Sequence, residues 1–263
     1  MARVSDRAQL NLVITCEHAS AKLPAAYGTL GLTTRIVRSH LGWDPGAVEV
    51  ARDCRSRLRC EYLEGRYSRL LVDLNRSESH PRLIPKVAFG VEVPGNARLS
   101  ARERAHRIEC FWRPHREAVV RATARAASAG GCFHVAIHSF VPELDGRRRC
   151  CDVGLLYDPH RALEVGLATA LQTSLEDRGL SVRRNYPYRG TSDGLTTALR
   201  RRFAARSYAG IEVEVNQALT VREHRRRAFG IHLCYALRSA VVRHRGGGDV
   251  GEPARRRQKN AKR

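Results

Sequence analysis

Polar side chains follow short apolar runs at four places in the sequence. They are Glu17–His18 after LNLVITC, Asn75–Arg76 after RLLVDL, His138–Ser139 after HVAI, and Glu214 with Asn216 and Gln217 after IEV. Runs of this kind predict buried strands, and functional groups of open α/β sheets collect where strands end. We therefore expect these side chains to meet at one edge of a central sheet.

The residue types at these ends have complementary chemistries. Two histidines with a carboxylate suit zinc, which takes nitrogen and oxygen ligands and keeps one position open in catalytic sites. The Asn75–Arg76 pair suits a substrate carboxylate, because a guanidinium binds it through two parallel hydrogen bonds. A further carboxylate beside a metal suits a general base. Together they favour a metal-dependent hydrolytic site.

Each candidate also has a structural interpretation. A histidine at a strand end is commonly a structural residue, and Arg76 belongs to an Arg-rich protein. Glu212 and Glu214 alternate with valine, which is typical of a strand with one solvated face. Asp44 precedes Pro45 and suits the N-cap of a helix. The catalytic interpretation is supported by the fact that polar residues of complementary chemistry follow four separate predicted strands.

Strand patterns alternate with longer helical patterns, which predicts one α/β domain over residues 1–244. The predicted strands are Leu10–Cys16, Arg69–Leu74, His134–His138, Val153–Tyr157, Ser181–Arg184 and Ile211–Val215. The first predicted helix starts at Asp44–Pro45 and runs to Leu58. The second starts at a capping box formed by Ser100 and Glu103 and ends at Gly130–Gly131. Further helices are predicted at Pro159–Arg178, Gly194–Ala205 and Val221–Arg243.

The charge of the chain is strongly positive. It has 47 Lys and Arg against 26 Asp and Glu, a formal net charge of +21. Residues 245–263 carry seven of the basic and two of the acidic residues, and their Gly-rich, apolar-poor composition predicts a disordered basic tail. A strongly positive electrostatic field attracts nucleic acid and acidic small molecules alike, so the net charge does not distinguish between these classes of partner. The 6% aromatic content and the lack of a known nucleic-acid-binding motif make nucleic acid the weaker alternative.

Eight cysteines are scattered without a CxxC pair, which argues against a zinc finger. The first residues lack the apolar core of a signal peptide, and no apolar stretch approaches the ~20 residues that span a bilayer. The sequence therefore predicts a cytoplasmic protein with reduced thiols and no membrane partner.

Eight ordered blocks resemble the N-formylglutamate amidohydrolase family and, more distantly, zinc carboxypeptidases and aspartoacylase. The blocks are TCEHAS…LP (15–24), HLGWDPGA (40–47), SRLLVDLNRS (68–77), WRPHREAV (112–119), AIHSFVP (136–142), VGLLYD (153–158), NYPYRGTSDG (185–194) and GIEVEVNQAL (210–219). The resemblance implies a phosphorylase/hydrolase-like fold, with a mixed, mostly parallel sheet flanked by helices. It also implies metal-dependent hydrolysis of an N-acyl amino acid.

Residue by residue, the resemblance implies a role for each candidate. His18 and His138 match the histidine ligands of a zinc ion, and Glu214 matches the catalytic base. Asn75 and Arg76 match the pair that binds the substrate carboxylate. We add Arg69 as a side chain that could meet the charge on the tetrahedral oxygen.

The sequence departs from the pattern of the related enzymes at two positions. Carboxypeptidase-like enzymes have a Glu three residues after the first histidine, where this chain has Ala21, and the usual Asp after Glu-x-x-Gln is Ala218. We choose Asp44 as the third ligand, with Glu17 and His40 as alternatives. The first hypothesis is hydrolysis of an N-acyl amino acid such as N-formyl-L-glutamate. The alternatives are a carboxypeptidase or amidase, a basic nucleic-acid-binding protein, or an inactive member.

Overall fold

The computed structural model describes residues 11–246, and ten strands lie in this part of the chain. They are β1 (Leu12–Cys16), β2 (Glu61–Glu64), β3 (Val87–Ala88), β4 (Val91–Glu92), β5 (Cys132–Phe140), β6 (Glu143–Leu144), β7 (Arg147–Arg148), β8 (Val153–Leu156), β9 (Val182–Arg184) and β10 (Tyr208–Asn216). Six of them form the central sheet in the order β2-β1-β5-β10-β8-β9, while β3–β4 and β6–β7 form separate two-stranded sheets.

The central sheet is mixed and mostly parallel, as predicted. Strand β1 is parallel to β2 and to β5, and β5 is parallel to β10. Strand β8 runs antiparallel to β10, and β9 is parallel to β8. The carboxyl ends of β1, β5 and β10 therefore meet at one edge of the sheet.

Helices cover both faces of this sheet. The helices in the described part of the chain are α1 (Thr34–Val37), α2 (Ala47–Leu58), α3 (Pro94–Ala97), α4 (Ala101–Arg107), α5 (Arg113–Ser128), α6 (Ala162–Glu176), α7 (Leu195–Arg202), α8 (Gln217–Thr220) and α9 (Glu223–Gly246), with a short 3₁₀ turn at Ala25–Tyr27. Helices α2, α6 and α9 pack together on one face, and α5 and α7 pack on the other. The prediction of a single α/β domain with flanking helices is confirmed.

Both faces of the central strands are buried, which explains their continuous apolar runs. All nine residues of β5 and all nine of β10 are buried. One face of the strands is apolar, with Ile14, Val135 and Val213 in the core shared with α2, α6 and α9. The opposite face carries buried polar residues, and His134 lies 2.9 Å from Thr15 Oγ1 and 2.8 Å from the Tyr208 hydroxyl. The polar face leads into the candidate site.

One predicted strand is wrong, and one predicted helix begins later than expected. The segment Arg69–Leu74 forms turns instead of a strand, because its apolar side chains are buried in a loop that packs against residues 83–112. Strand β2, which the sequence reading missed, occupies the sheet edge beside β1. The helix expected to start at Asp44–Pro45 starts at Ala47 with Gly46 as its N-cap. Asp44 is therefore free of the capping role.

The long helix expected from Ser100 is present but interrupted. The Ser100 side chain caps α4 by accepting a hydrogen bond from the Glu103 backbone N–H at 3.1 Å. A π-helical turn, Ile108–Trp112, then joins α4 to α5. Such a turn inserts an extra residue and rotates the following side chains about the helix axis.

Helix α9 continues through Gly246, two residues into the segment predicted as a tail. The rest of that segment, 247–263, and the first residue of the predicted strand Leu10–Cys16 lie outside the described residues. Within residues 11–246, none of the helices combines the length and apolar character needed to cross a membrane.

Candidate active site

Three buried side chains that the sequence singled out come together at the carboxyl edge of the sheet. His18, Asp44 and His138 each present a potential ligand atom, and these atoms all lie within 4.8 Å of one another. His18 follows β1, His138 lies near the end of β5, and Asp44 lies in the loop before α2. Two imidazoles and one carboxylate at this separation could hold a metal ion such as zinc.

Backbone hydrogen bonds fix Asp44 between the two histidines. Its N–H donates to the His18 carbonyl at 3.0 Å, and its Oδ2 accepts from the Ser139 N–H at 3.3 Å. Asp44 Oδ2 lies 3.0 Å from His138 Nδ1 and 3.4 Å from His18 Nδ1. The other oxygen, Oδ1, contacts the buried guanidinium of Arg69. Asp44 therefore presents a single oxygen to both Nδ1 atoms.

A second carboxylate lies behind each histidine. His18 Nε2 is 2.7 Å from Asp73 Oδ1, and His138 Nε2 is 2.9 Å from Glu17 Oε2. Metal-binding histidines commonly donate their other ring N–H to a carboxylate, which fixes the tautomer and the ring orientation. Asp73 thus holds His18 through a hydrogen bond, whereas Glu17 lies at ion-pair distance from His138 without a well-aligned hydrogen bond. The Nδ1 atom of His18 is buried and has no hydrogen-bond partner among the described residues.

Burial and charge shift the ionisation of this cluster. Burial lowers the pKa of His18 to about 4, so its imidazole is neutral at pH 7. Burial acts in the same direction on His138, but contact with the Glu17 carboxylate and its charge outweigh it and raise the pKa of His138 to about 9. Burial also opposes ionisation of Asp73, yet the neighbouring His18 holds its pKa below the usual value. A cation bound between the histidines would take the place of the His138 proton.

Glu214 lies on β10 directly beside His138 on β5 in the sheet register. It is buried, and its Oε2 accepts no hydrogen bond from any described residue. Burial raises its pKa above the usual value for a glutamate. Glu212 lies two residues earlier on the same strand face, but its Oε1 accepts a hydrogen bond from the Thr196 hydroxyl at 2.6 Å. Of the two carboxylates, Glu214 is thus the one that lies beside His138 and has a buried oxygen without a hydrogen-bond donor among the described residues.

Asn75 and Arg76 lie in the loop beside α7. Asn75 Oδ1 accepts a hydrogen bond from the Leu195 N–H at the start of α7, at 2.7 Å, which leaves the amide N–H₂ group as a donor. Arg76 Nη1 donates to the Asp193 carbonyl at 2.9 Å, and Arg76 Nε lies 3.9 Å from Asp73 Oδ2. Both side chains line the same cavity as the three-residue cluster. They can therefore face a ligand that reaches His18 and His138.

That cavity has a volume of about 410 Å³ and contains every site residue that the sequence proposed. The proposed residues in its lining are His18, Asp44, Arg69, Asn75, Arg76, His138 and Glu214, with His40 also present. His40 is not part of the three-residue cluster, and Glu17 contacts His138 from the far side of the imidazole ring. The geometry thus favours Asp44 over both alternatives as the third member.

A glycine brings the loop of residues 185–190 close to Glu214. Gly154 on β8 pairs with Glu214 on β10, and a Cβ atom on Gly154 would collide with the Tyr186 carbonyl oxygen. The absence of a side chain there lets the loop approach the strand, and Tyr188 then lines the cavity. His115, which shares a matching sequence block, instead lines a neighbouring cavity, with Nε2 3.9 Å from Glu17 Oε1.

The sequence reading missed the two carboxylates as partners of the histidines. Asp73 stands in the same DLNR motif as Asn75 and Arg76, and Glu17 directly precedes His18, so both were within recognised motifs. Their pairing with histidines follows only from the packing of loops that are distant in sequence. Arg149, which also lines the cavity, had no signal that separated it from Arg147 and Arg148.

Comparison with known proteins identifies the wider group. A family model for N-formylglutamate amidohydrolase matches residues 10–221. A gene product from Agrobacterium tumefaciens is 33% identical with a TM-score of 0.81, over 89% of this chain and 92% of that chain. An N-formylglutamate amidohydrolase from Ralstonia eutropha JMP134 shares the fold, with 22% identity and a TM-score of 0.70 over 90% of this chain and 95% of that chain. A search of curated proteins found no match.

The match to the family model covers the whole central sheet and every residue of the candidate site. The Agrobacterium protein adds a relative above 30% identity over most of both chains. By sequence, fold and the residues gathered at the sheet edge, this chain belongs to the N-formylglutamate amidohydrolase family.

Proposed function

We propose that this chain is a zinc-dependent hydrolase that cleaves the amide bond of a small N-acyl amino acid, with N-formyl-L-glutamate as the first candidate. One observation carries the proposal. His18, Asp44 and His138 face one another at the sheet edge beside Glu214, whose Oε2 is buried without a hydrogen-bond donor among the described residues. Family membership supports amide hydrolysis as the reaction class.

The donor set fits a metal ion. His18 Nδ1, His138 Nδ1 and Asp44 Oδ2 converge, and the Asp73 and Glu17 carboxylates orient the two imidazoles from behind. Two histidines and one carboxylate are a ligand set of catalytic zinc. When bound, zinc supplies Lewis acidity to an amide carbonyl.

Proton transfer, stabilisation of the tetrahedral oxygen and substrate binding would be carried out by side chains of the protein. Glu214 would accept a proton from the attacking water and deliver it to the leaving nitrogen, a role that suits a buried carboxylate with a raised pKa. The Arg69 guanidinium, fixed beside Asp44, would stabilise negative charge on the tetrahedral oxygen. Arg76 and the Asn75 amide group would bind a carboxylate of the substrate.

We also propose that the protein works in the cytoplasm, because its eight cysteines are free thiols, which persist in a reducing compartment. Nucleic-acid binding through the basic tail stays a prediction from charge alone.

A panel of N-formyl, N-acetyl and peptide substrates tests the proposal. We expect the zinc-loaded protein to release free amino acid from N-formyl-L-glutamate, and a chelator to stop the release until zinc is added back. A preference for long peptides over N-acyl amino acids would instead favour the carboxypeptidase alternative. Absence of turnover on every member of the panel, with zinc bound, would contradict the hydrolase proposal.

Asp73 should contribute to metal affinity without touching the metal. Replacing it by asparagine removes the charge that holds the Nε2 proton of His18, and we expect the zinc dissociation constant to rise by about tenfold. Competition with a zinc-binding dye measures the constant. Asp193→Asn is the matched control, since this pocket-lining carboxylate accepts a hydrogen bond from the Ser77 N–H and contacts neither histidine. Equal affinities in the two variants would contradict the orienting role.

A further inference from the structure

Two buried thiols face each other where α2 packs against α9, away from the active-site cavity. Cys54 lies on α2 and Cys234 on α9, and the Cys234 thiol donates a hydrogen bond to the Cys54 sulfur at 3.3 Å. The two residues are 180 positions apart in the sequence, so their meeting depends on the packing of the folded domain. Because the sulfur atoms of a disulfide are about 2.0 Å apart, bond formation requires them to approach by roughly 1 Å more.

The two helices are held close together at the level of these thiols. Gly230 lies one turn before Cys234 on α9, and Asp53 directly precedes Cys54 on α2. A Cβ atom on Gly230 would come within 3.0 Å of Asp53 Oδ2, so the glycine lets the helices approach closely at this point. Both thiols belong to the apolar core that α2 and α9 share. The packing of the helices therefore keeps the two sulfur atoms in contact.

The thiols at this interface differ in their tendency to ionise. Contact with the Cys54 thiol lowers the pKa of Cys234 against the effect of burial, and the charge of Arg57 acts in the same direction. Contact with Cys234 and burial raise the pKa of Cys54. Cys60, a half-buried thiol that packs against the same core, has its pKa raised to about 12 by burial. Since the thiolate is the nucleophile, Cys234 is the attacking thiol of this group.

We propose that Cys54 and Cys234 form a redox-sensitive pair that hydrogen peroxide converts to a disulfide, which joins α9 covalently to α2. The Cys234 thiolate attacks the peroxide, whose O–O bond breaks. Cys234 becomes a sulfenic acid, and the departing hydroxide takes up the proton that Cys234 had released. The Cys54 sulfur then attacks the sulfenic sulfur, the S–O bond breaks, and water leaves with the Cys54 proton. The two thiols lose two electrons and two protons, and the peroxide is reduced to two molecules of water.

This disulfide would close a loop that contains most of the domain. A cross-link over such a length restricts the unfolded chain and so stabilises the folded one. A thiol reductant reverses the bond, which makes the stabilisation conditional on oxidising conditions. Neither cysteine lines the active-site cavity, so the inference does not depend on the proposed function.

The test treats the full-length protein with hydrogen peroxide, blocks the remaining thiols with iodoacetamide and digests the protein with trypsin without reductant. Trypsin cleaves after Arg, so the disulfide should join the peptide of residues 53–55 to that of residues 228–238. We expect this linked peptide to be the main cross-linked species and to disappear on treatment with dithiothreitol. We also expect oxidation to raise Tm by about 5–10 °C, reversibly.

Cys54→Ala should lose both the linked peptide and the rise in Tm. Cys132→Ala is the matched control, because Cys132 is a buried thiol on β5 in the core on the opposite face of the sheet, and this variant should retain both. The wild type before and after oxidation gives the same two readouts without any substitution, so a variant that fails to fold does not decide the outcome. The proposal is overturned by absence of the linked peptide in the oxidised wild type, by a main cross-link through Cys60, or by an equal change in Tm in Cys54→Ala.

Discussion

Replacing Glu214 by glutamine should lower kcat by about 10³-fold and leave the zinc content of the protein unchanged. Glutamine preserves the size of the side chain but cannot accept a proton from water. Because Glu214 Oε2 receives no hydrogen bond from the described residues, the exchange disrupts no contact at that oxygen. Glu214 is also outside the three-residue cluster, so the metal ligands remain in place.

Glu212→Gln is the matched control for this variant. Glu212 lies on the same strand and lines the same cavity, but its Oε1 already accepts a hydrogen bond from the Thr196 hydroxyl. We expect its kcat to remain within about tenfold of the wild-type value, as befits a residue outside proton transfer.

Steady-state kinetics with metal-loaded protein measures kcat for both variants, and thermal unfolding verifies that each is folded. A Glu214→Gln protein with near wild-type kcat would eliminate Glu214 as the base. A larger loss in Glu212→Gln than in Glu214→Gln would transfer the role to Glu212.

Strand ends allowed much of the site to be predicted from the sequence. The apolar runs before His138 and Glu214 form the central parallel strands β5 and β10, and parallel neighbours place their carboxyl ends side by side. His18 follows β1, the other parallel neighbour of β5, so it reaches the same edge. The confirmed fold and the clustering of these residues follow from this one rule.

The same pattern failed at Arg69–Leu74, where apolar residues are buried in a loop and no strand forms. An apolar run reports burial, and burial alone does not distinguish a central strand from a loop packed beneath neighbouring helices. Asn75 and Arg76 nevertheless reach the cavity, because the Leu195 N–H and the Asp193 carbonyl anchor them to the start of α7.

Contacts between loops that are distant in sequence could not be predicted, because no periodic pattern in the sequence marks them. Asp73 meets His18 across 55 positions, and the Asp44 contact with His138 spans 94. Asp44–Pro45 suits a helix start on local grounds, yet the helix begins at Ala47 and Asp44 turns toward the histidines. Tertiary packing overrides a local capping preference whose worth is about 1 kcal/mol.

Replacing a residue of the three-residue cluster should abolish zinc binding. We expect the wild-type protein, purified without chelator, to bind about one zinc ion, and His138→Ala and Asp44→Asn to bind none and lose hydrolysis. Zinc that binds only the folded site stabilises it by about 2.7 kcal/mol at a free concentration 100 times its dissociation constant. For a chain of this size that corresponds to a rise in Tm of about 5–10 °C. Both ligand variants should lack this rise.

His40→Ala is the matched control, because His40 lines the cavity but lies outside the cluster of His18, Asp44 and His138. It should retain the zinc ion and the full rise in Tm. Glu17→Gln should weaken zinc binding by about tenfold without abolishing it, since Glu17 contacts His138 through Nε2 and not through Nδ1.

Metal analysis of the purified proteins and thermal unfolding with and without zinc distinguish these outcomes without an activity assay. Loss of zinc in His40→Ala with retention in Asp44→Asn would make His40 the third ligand. Complete loss in Glu17→Gln would give that role to Glu17. A wild-type protein with neither bound metal nor a zinc-dependent rise in Tm would contradict the metal site itself, because the two imidazoles would then be held by Asp73 and Glu17 for structure alone.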